Sequence, residues 1–227
     1  MPDGLAAPQM VINSRMLYTS WMPADPEAAA ALLPEGGPKP AGPVYMNQYV
    51  VDTAEQTSGF GAYSLTYLGL DIAGMMDPED VLPARYMLFY FNSSERMREY
   101  TIREYGLPAV PAETRMTSGS GTVIATTMVG DSPIIRAEAR IGEEIAMVGR
   151  GQLTYVRQKD GRFMAGNFPY IADLMADFRC VAIEFADPSH PVYALRPAEP
   201  LNIVESGCFY SPSDSFVYPG GVYEVSF

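Results

Sequence analysis

Few side chains in this sequence are placed to do covalent or acid–base chemistry, and their settings narrow what that chemistry is. There are two lysines: Lys39 stands between Pro38 and Pro40, and Lys159 precedes Asp160-Gly161. An amine that attacks a carbonyl must be neutral near pH 7, which requires desolvation or a cationic neighbour. Both positions read as solvated loop or turn sites with ordinary amine pKa values, so imine chemistry is not expected. His190 is the one histidine and lies in Asp187-Pro188-Ser189-His190-Pro191, an exposed loop by its prolines, so a Ser-His-Asp triad has no support. Cys180 and Cys208 are 28 positions apart with no partner at a metal-ligand spacing, and read as buried free thiols; no metal site is expected. Gly119-Ser120-Gly121 lacks the following Gly-Lys-Ser/Thr of a phosphate loop. What remains is a supply of 15 tyrosines and 14 methionines. Tyrosine donates hydrogen bonds to a developing oxyanion and methionine fills irregular apolar pockets. Together these suit an irregular apolar pocket that offers hydrogen bonds to a small molecule, and no cofactor is expected.

The elements that hold such a cavity are mostly strands. The 227 residues, 48% hydrophobic and 19% charged, are read as one domain, 1–227, with a substantial core. A net charge of −12 repels phosphate backbones and anionic membranes, so nucleic acid and membrane surfaces are not expected partners. There is no signal-like start and no apolar run of about 18 residues, so a soluble, cytoplasmic protein is expected. Twenty Pro and 20 Gly break the chain into short segments. Strand-like runs cover 44–51, 62–72, 84–91, 121–129, 134–141, 151–157, 180–185, 201–209 and 221–227. Tyr63, Leu65 and Tyr67 alternate with Ser64 and Thr66, the mark of a strand with two different faces. Asp160-Gly161 is a hairpin turn pair. Asp25-Pro26-Glu27 opens one helix, and Ser93-Ser94-Glu95 opens a second that Gly106 and Pro108 stop.

Five stretches resemble the acetoacetate decarboxylase family, in order and over nearly the whole chain. They are Asn13-Ser14-Arg15 with Leu32-Leu33-Pro34-Glu35; Thr57-Ser58-Gly59-Phe60-Gly61-Ala62-Tyr63; Tyr105-Gly106-Leu107-Pro108-Ala109-Val110; Asn167-Phe168-Pro169 to Leu174; and Pro219-Gly220-Gly221-Val222-Tyr223-Glu224. The third corresponds to the family's active-site segment, where two adjacent lysines follow the proline. The first forms a Schiff base and the second lowers its pKa by like-charge repulsion. Here those positions hold Ala109 and Val110, which can do neither.

The resemblance implies a mainly β (α+β) fold, a closed cone-like antiparallel β-barrel with a few peripheral helices, an interior cavity and homo-oligomeric assembly. It puts Arg15 where the family's arginine reaches a substrate carboxylate, Leu65 where a catalytic glutamate stands, and Asn47 or Gln48 at a second acidic position. Tyr63, Tyr105 and Glu113 lie beside the pocket segments and complete the catalytic candidates. The expected function is a lysine-independent enzyme, of lyase or isomerase/cyclase type, acting on a small, mostly apolar carbonyl or keto-acid metabolite by proton transfer, dehydration or cyclisation. A non-catalytic protein that binds such a molecule is the alternative.

Overall fold

Two capping side chains and one alternating pattern account for most of the local structure. A computed structural model describes residues 5–227. The chain runs through β1 (Gln9–Trp21), α1 (Pro26–Ala30), β2 (Pro40–Val51), β3 (Tyr63–Met76), β4 (Pro83–Asn92), α2 (Glu95–Tyr105), β5 (Ala109–Pro111), β6 (Glu113–Gly119), β7 (Thr122–Val129) and β8 (Ser132–Arg140). It continues through β9 (Ile145–Lys159), β10 (Arg162–Met175), β11 (Arg179–Phe185), β12 (Phe209–Tyr218) and β13 (Tyr223–Val225). The Asp25 carboxylate caps α1 by accepting from the Ala28 N–H at 2.9 Å. Ser94 caps α2, which stops at Gly106 with a positive φ of 66°, a conformation glycine adopts without strain. Lys159 is not merely solvated: its Nζ donates to the Arg103 carbonyl at 2.6 Å and so covers the end of α2.

Most of the expected strands form, several with longer bounds, while the run 221–227 shortens to Tyr223–Val225. The run 201–209 does not form: Glu205–Gly207 is a 3-10 turn and β12 begins only at Phe209. The Ser211-Pro212-Ser213-Asp214-Ser215 stretch looks too polar for a core strand, yet β12 is a central one because β1 and β10 pair with its two edges. His190 also differs from an exposed loop side chain. Its Nδ1 accepts from the Val192 N–H at 3.1 Å, capping a 3-10 turn, and its ring rests near Phe91 with centroids 5.7 Å apart. Among the described residues, no helix is long and apolar enough to cross a membrane.

The structure is mainly β, built as two sheets. Hydrogen-bonded neighbours in the large sheet run β12-β1-β2-β3-β4-β9-β10-β13, with β5 beside β4, and β10 also pairs with β12. Nearly all pairs are antiparallel, the exceptions being β4 with β5 and β4 with β9. The smaller sheet is β11-β8-β7-β6. Side chains alternate between the two faces of each strand. One face of the large sheet, with Leu17, Met46, Leu68 and Leu70, packs on Val123, Ala125, Ile135 and Ala137 of the smaller sheet. The other face turns inward and carries tyrosines: Tyr18, Tyr45, Tyr49, Tyr63, Tyr67, Tyr90, Tyr155 and Tyr218, joined by Tyr100 and Tyr105 of α2.

Gly69 sets one close approach in this arrangement. A Cβ there would lie 1.9 Å from the Tyr86 carbonyl oxygen, so only glycine lets β3 and β4 meet at their register shift. Two residues further on, that register places Asp71 opposite Arg85.

Candidate functional site

The tyrosine-lined face encloses a cavity of about 230 Å³. Pockets for drug-sized ligands start at about 300 Å³, so this one suits a small molecule. Its apolar wall includes Met16, Met87, Leu107, Leu153, Met164 and Phe168. Into this lining are set a few polar groups, chiefly Arg85, Asn47, Asp214, Tyr18, Tyr67 and Tyr155.

Arg85 is 4% exposed. Its Nε donates to Asp71 Oδ1 at 3.2 Å and its Nη1 to the Tyr18 hydroxyl at 2.7 Å. The guanidinium also lies 5.0 Å from the centre of the Tyr18 ring and 5.3 Å from that of Tyr45. Burial works against its charge, but Tyr18, Tyr155 and Asp71 outweigh burial and hold the guanidinium cationic. Burial pushes the Asp71 carboxyl up, with Arg85 opposing it.

From Arg85 a line of hydroxyls crosses the cavity wall. Tyr18 Oη is 3.3 Å from Tyr155 Oη, Tyr155 Oη is 2.8 Å from Tyr67 Oη, and the Asn47 amide donates to Tyr67 Oη at 2.9 Å. Three phenolic hydrogens serve two inter-tyrosine bonds, so one O–H is left over for whatever fills the cavity. With Arg85 donating to Tyr18 and Asn47 to Tyr67, one arrangement has Tyr18 and Tyr67 both donating to Tyr155, in keeping with the lowering effect of both bonds on the Tyr155 hydroxyl. In that arrangement the Tyr155 hydrogen is the one the line leaves unused. Burial pushes Tyr155 up, while Arg85 and the bonds from Tyr18 and Tyr67 all pull it down. A second chain links Tyr63 to Tyr49, Tyr49 to Tyr218 and Tyr218 to Tyr90 at 2.8, 2.9 and 3.1 Å, with no cation at its head.

Asp214 enters from β12. Burial alone raises its carboxyl, to about 7. Neither carboxylate oxygen has a hydrogen-bond partner. Asn47 Oδ1 and Arg157 Nε are likewise buried and unpartnered on residues that line the same cavity. Unpaired buried polar atoms are rare, and the four on these three residues make the cavity the candidate ligand site.

The residues singled out from sequence divide between this cavity and the outside. Asn47 and Tyr105 line it. Burial raises the Tyr105 hydroxyl well above its ordinary range, and its oxygen accepts from the Gly220 N–H at 3.2 Å. Gln48, one residue on from Asn47, points to the opposite face and donates to Thr127 Oγ1 at 3.0 Å. Arg15 falls on the outward face for the same reason, since its neighbour Met16 lines the cavity. It pairs with Asp52 at 2.6 Å and donates to the Met116 carbonyl at 3.1 Å. Leu65 is fully buried core and Tyr63 hydrogen-bonds to Tyr49. Ala109 is half-buried on β5, Val110 is exposed, and neither lines the cavity.

Glu113 corrects an expectation. It is exposed and pairs with Arg115 at 2.8 Å, which holds its carboxyl below the usual range, opposite to the raised value a buried acid or base needs. Tyr63, Glu113 and Asp52 border a second cleft, which is shallow and open to solvent.

Sequence reasoning missed Arg85, Asp214, Tyr18 and Tyr155. The alternation of Tyr63, Leu65 and Tyr67 carried a usable signal for Tyr67. An arginine within the apolar run Ala84 to Phe91 carried another. Neither Lys39 nor Lys159 lines the cavity. Cys180 is buried, while Cys208 is half-buried and reaches the cavity; burial pushes the two thiols up to about 12 and about 11. Among the described residues no cluster of three or more His, Cys, Asp or Glu side chains is placed to hold a metal ion.

This architecture has counterparts among solved structures. An acetoacetate decarboxylase from Legionella pneumophila superposes with a TM-score of 0.69 over 100% of this chain and 92% of its own, at 13% identity. The fold is that of acetoacetate decarboxylase. The enduracididine biosynthesis enzyme MppR, in complex with the condensation product of pyruvate and imidazole 4-carboxaldehyde, matches with a TM-score of 0.63 at 12% identity, over 98% of this chain and 90% of its own. An acetoacetate decarboxylase-like enzyme from Sphingomonas wittichii RW1 matches with a TM-score of 0.63 at 14% identity, covering 97% and 93%. No protein-family model and no curated protein sequence matches the chain.

Proposed function

We propose that this protein is a lysine-independent enzyme acting on a small, mostly apolar carbonyl or keto-acid metabolite, by proton transfer, dehydration or cyclisation. In this reading the chain works as one domain whose large sheet is a barrel closed by the pairing of β10 with β12. The observation that carries the proposal is the hydrogen-bonded line from Arg85 through Tyr18, Tyr155 and Tyr67 to Asn47 on the wall of an apolar cavity.

The chemistry follows from that line. A carbonyl oxygen gains negative charge when a neighbouring carbon loses a proton, and a fixed donor in a dry site stabilises that charge without reorganising. The free O–H of the tyrosine line is such a donor. Arg85 polarises it from the far end and keeps donor positions for a substrate carboxylate, which suits its planar fork. The surrounding Met, Leu and Phe side chains exclude water and strengthen both interactions. Pyruvate bound to MppR supports an oxo acid as the first substrate class to try.

No imine is needed in this reading. Intact-protein mass spectrometry after incubation with pyruvate or acetoacetate and borohydride tests it. The account expects the unmodified mass, together with an oxo acid altered by the enzyme. A reduced adduct on Lys39 or Lys159 refutes lysine independence, and an oxo acid that binds but is recovered unchanged by every assay means a binding protein.

A further inference from the structure

We propose that Asp214 is the general base of this cavity, taking the proton from the carbon beside the substrate's carbonyl group. The inference rests on the proposed function and adds the residue that moves the proton.

Three carboxylates are buried among the described residues: Asp71, Asp77 and Asp214. Asp71 is paired with Arg85. Asp77 accepts backbone N–H bonds from Glu79, Val81 and Leu82, at 2.9–3.1 Å, and closes the β3–β4 turn. Both therefore have structural explanations. Asp214 has none: the residue is 1% exposed, and both of its carboxylate oxygens lack a partner. Leaving a buried carboxyl unpaired is costly, and an uncharged side chain of similar size would avoid the cost. A buried, unpaired carboxyl that lines a cavity is therefore a candidate for a role in its chemistry.

Its position fits that work. Asp214 sits on β12 where β1 and β10 flank it, held by a hydrogen bond from Ser14 Oγ to its carbonyl at 3.1 Å and by register with Ala172. It lines the cavity that also holds Arg85 and Tyr155. Tyr170 on β10 is pushed up chiefly by burial, and it feels Arg85 as a lowering influence and Asp214 as a raising one. The guanidinium and the acid thus act on the same cavity. A carboxyl raised to about 7 by burial is poised to take up and return a proton near neutral pH.

The step balances without any further reactant. The C–H bond beside the carbonyl breaks and its proton goes to an Asp214 oxygen. Its electron pair forms a carbon–carbon double bond while the carbonyl π pair moves onto oxygen. The enolate oxygen takes the hydrogen bond of the tyrosine line. Return of a proton to carbon regenerates the carboxylate, and a deuteron returns instead once the carboxyl has exchanged with deuterated solvent.

Proton NMR in D2O with pyruvate, 2-oxobutyrate and phenylpyruvate tests the assignment, alongside thermal melts with the same acids. The wild type should exchange the protons beside the carbonyl of at least one acid that raises its melting temperature. Asp214→Asn should keep that melting shift and lose exchange by at least about 100-fold, the lower range for a general base. Equal exchange in Asp214→Asn overturns the role of Asp214. Binding without exchange in the wild type also overturns it while leaving the cavity as a binding site, and neither binding nor exchange overturns both readings.

Discussion

The Arg85 guanidinium donates to the Tyr18 hydroxyl at 2.7 Å, so a buried positive charge stands at one end of a line of phenols that ends at the Asn47 amide. Both ends of the line are donors, and the Tyr155 oxygen lies between the Tyr18 and Tyr67 hydroxyls. Tyr155→Phe removes the hydroxyl on which two phenols converge and leaves Tyr18 and Tyr67 without that acceptor. It should cost about 1–3 kcal/mol of stability in urea unfolding and weaken the melting shift given by a bound 2-oxo acid. Unchanged values in both measurements would detach Tyr155 from the site.

Arg85 cannot be removed alone without consequence, because Asp71 is then a buried charge without its partner. Arg85→Met should destabilise the protein by about 3–5 kcal/mol. The double variant Arg85→Gln/Asp71→Asn should recover much of that loss. It should not recover the melting shift with a 2-oxo acid, which separates the guanidinium's part in the fold from its part in binding.

Asp214 makes stability depend on pH in a defined direction. Its carboxyl is raised from 3.8 to about 7 by burial, and no charged partner on β1 or β10 lowers it. The folded state therefore holds the proton more tightly than the unfolded chain, and stability is lost as pH rises from about 4 to about 7. Relative to Asp214→Asn, the wild type should lose up to about 1.4 kcal/mol per pH unit across that window and level off above it. Urea unfolding of the two proteins at pH 5, 6, 7 and 8 checks this, and parallel curves would show that Asp214 is solvated or paired.

Arg15 lies on the outward face of β1, paired with Asp52. An ion pair this exposed contributes little, so Arg15→Ala should cost about 0.2–1 kcal/mol and leave oxo-acid binding and exchange as in the wild type. Loss of binding in that variant would return the site to the region around β5, where Ala109 and Val110 lie.

The sequence made the β architecture legible because turn chemistry and strand alternation are local. Asp25, Ser94, Gly106 and Asp160-Gly161 punctuate the chain where the structure has caps and a turn. The site was legible only in part. Fifteen tyrosines announced an interior rich in phenols, but which of them meet depends on pairings between strands far apart in sequence: Tyr18 reaches Tyr155 across 137 positions. Asp214 stands in the polar stretch Ser211-Pro212-Ser213-Asp214-Ser215, and the pairing of β12 on both edges buries it. The resemblance puts Arg15 at the site and position along the chain puts Glu113 beside it, whereas the period-two alternation decides which side a residue faces. It turned Arg15 and Gln48 outward and Met16 and Asn47 inward.

A crystal structure with phenylpyruvate bound is the most direct measurement of the central claim. The account predicts the ligand inside the tyrosine-lined cavity, its carbonyl oxygen hydrogen-bonded to the Tyr18–Tyr155–Tyr67 line, the carbon beside it within reach of Asp214, and no bond to a lysine. A ligand seated instead in the outer cleft by Asp52 and Glu113, or joined to Lys39 or Lys159, would contradict it.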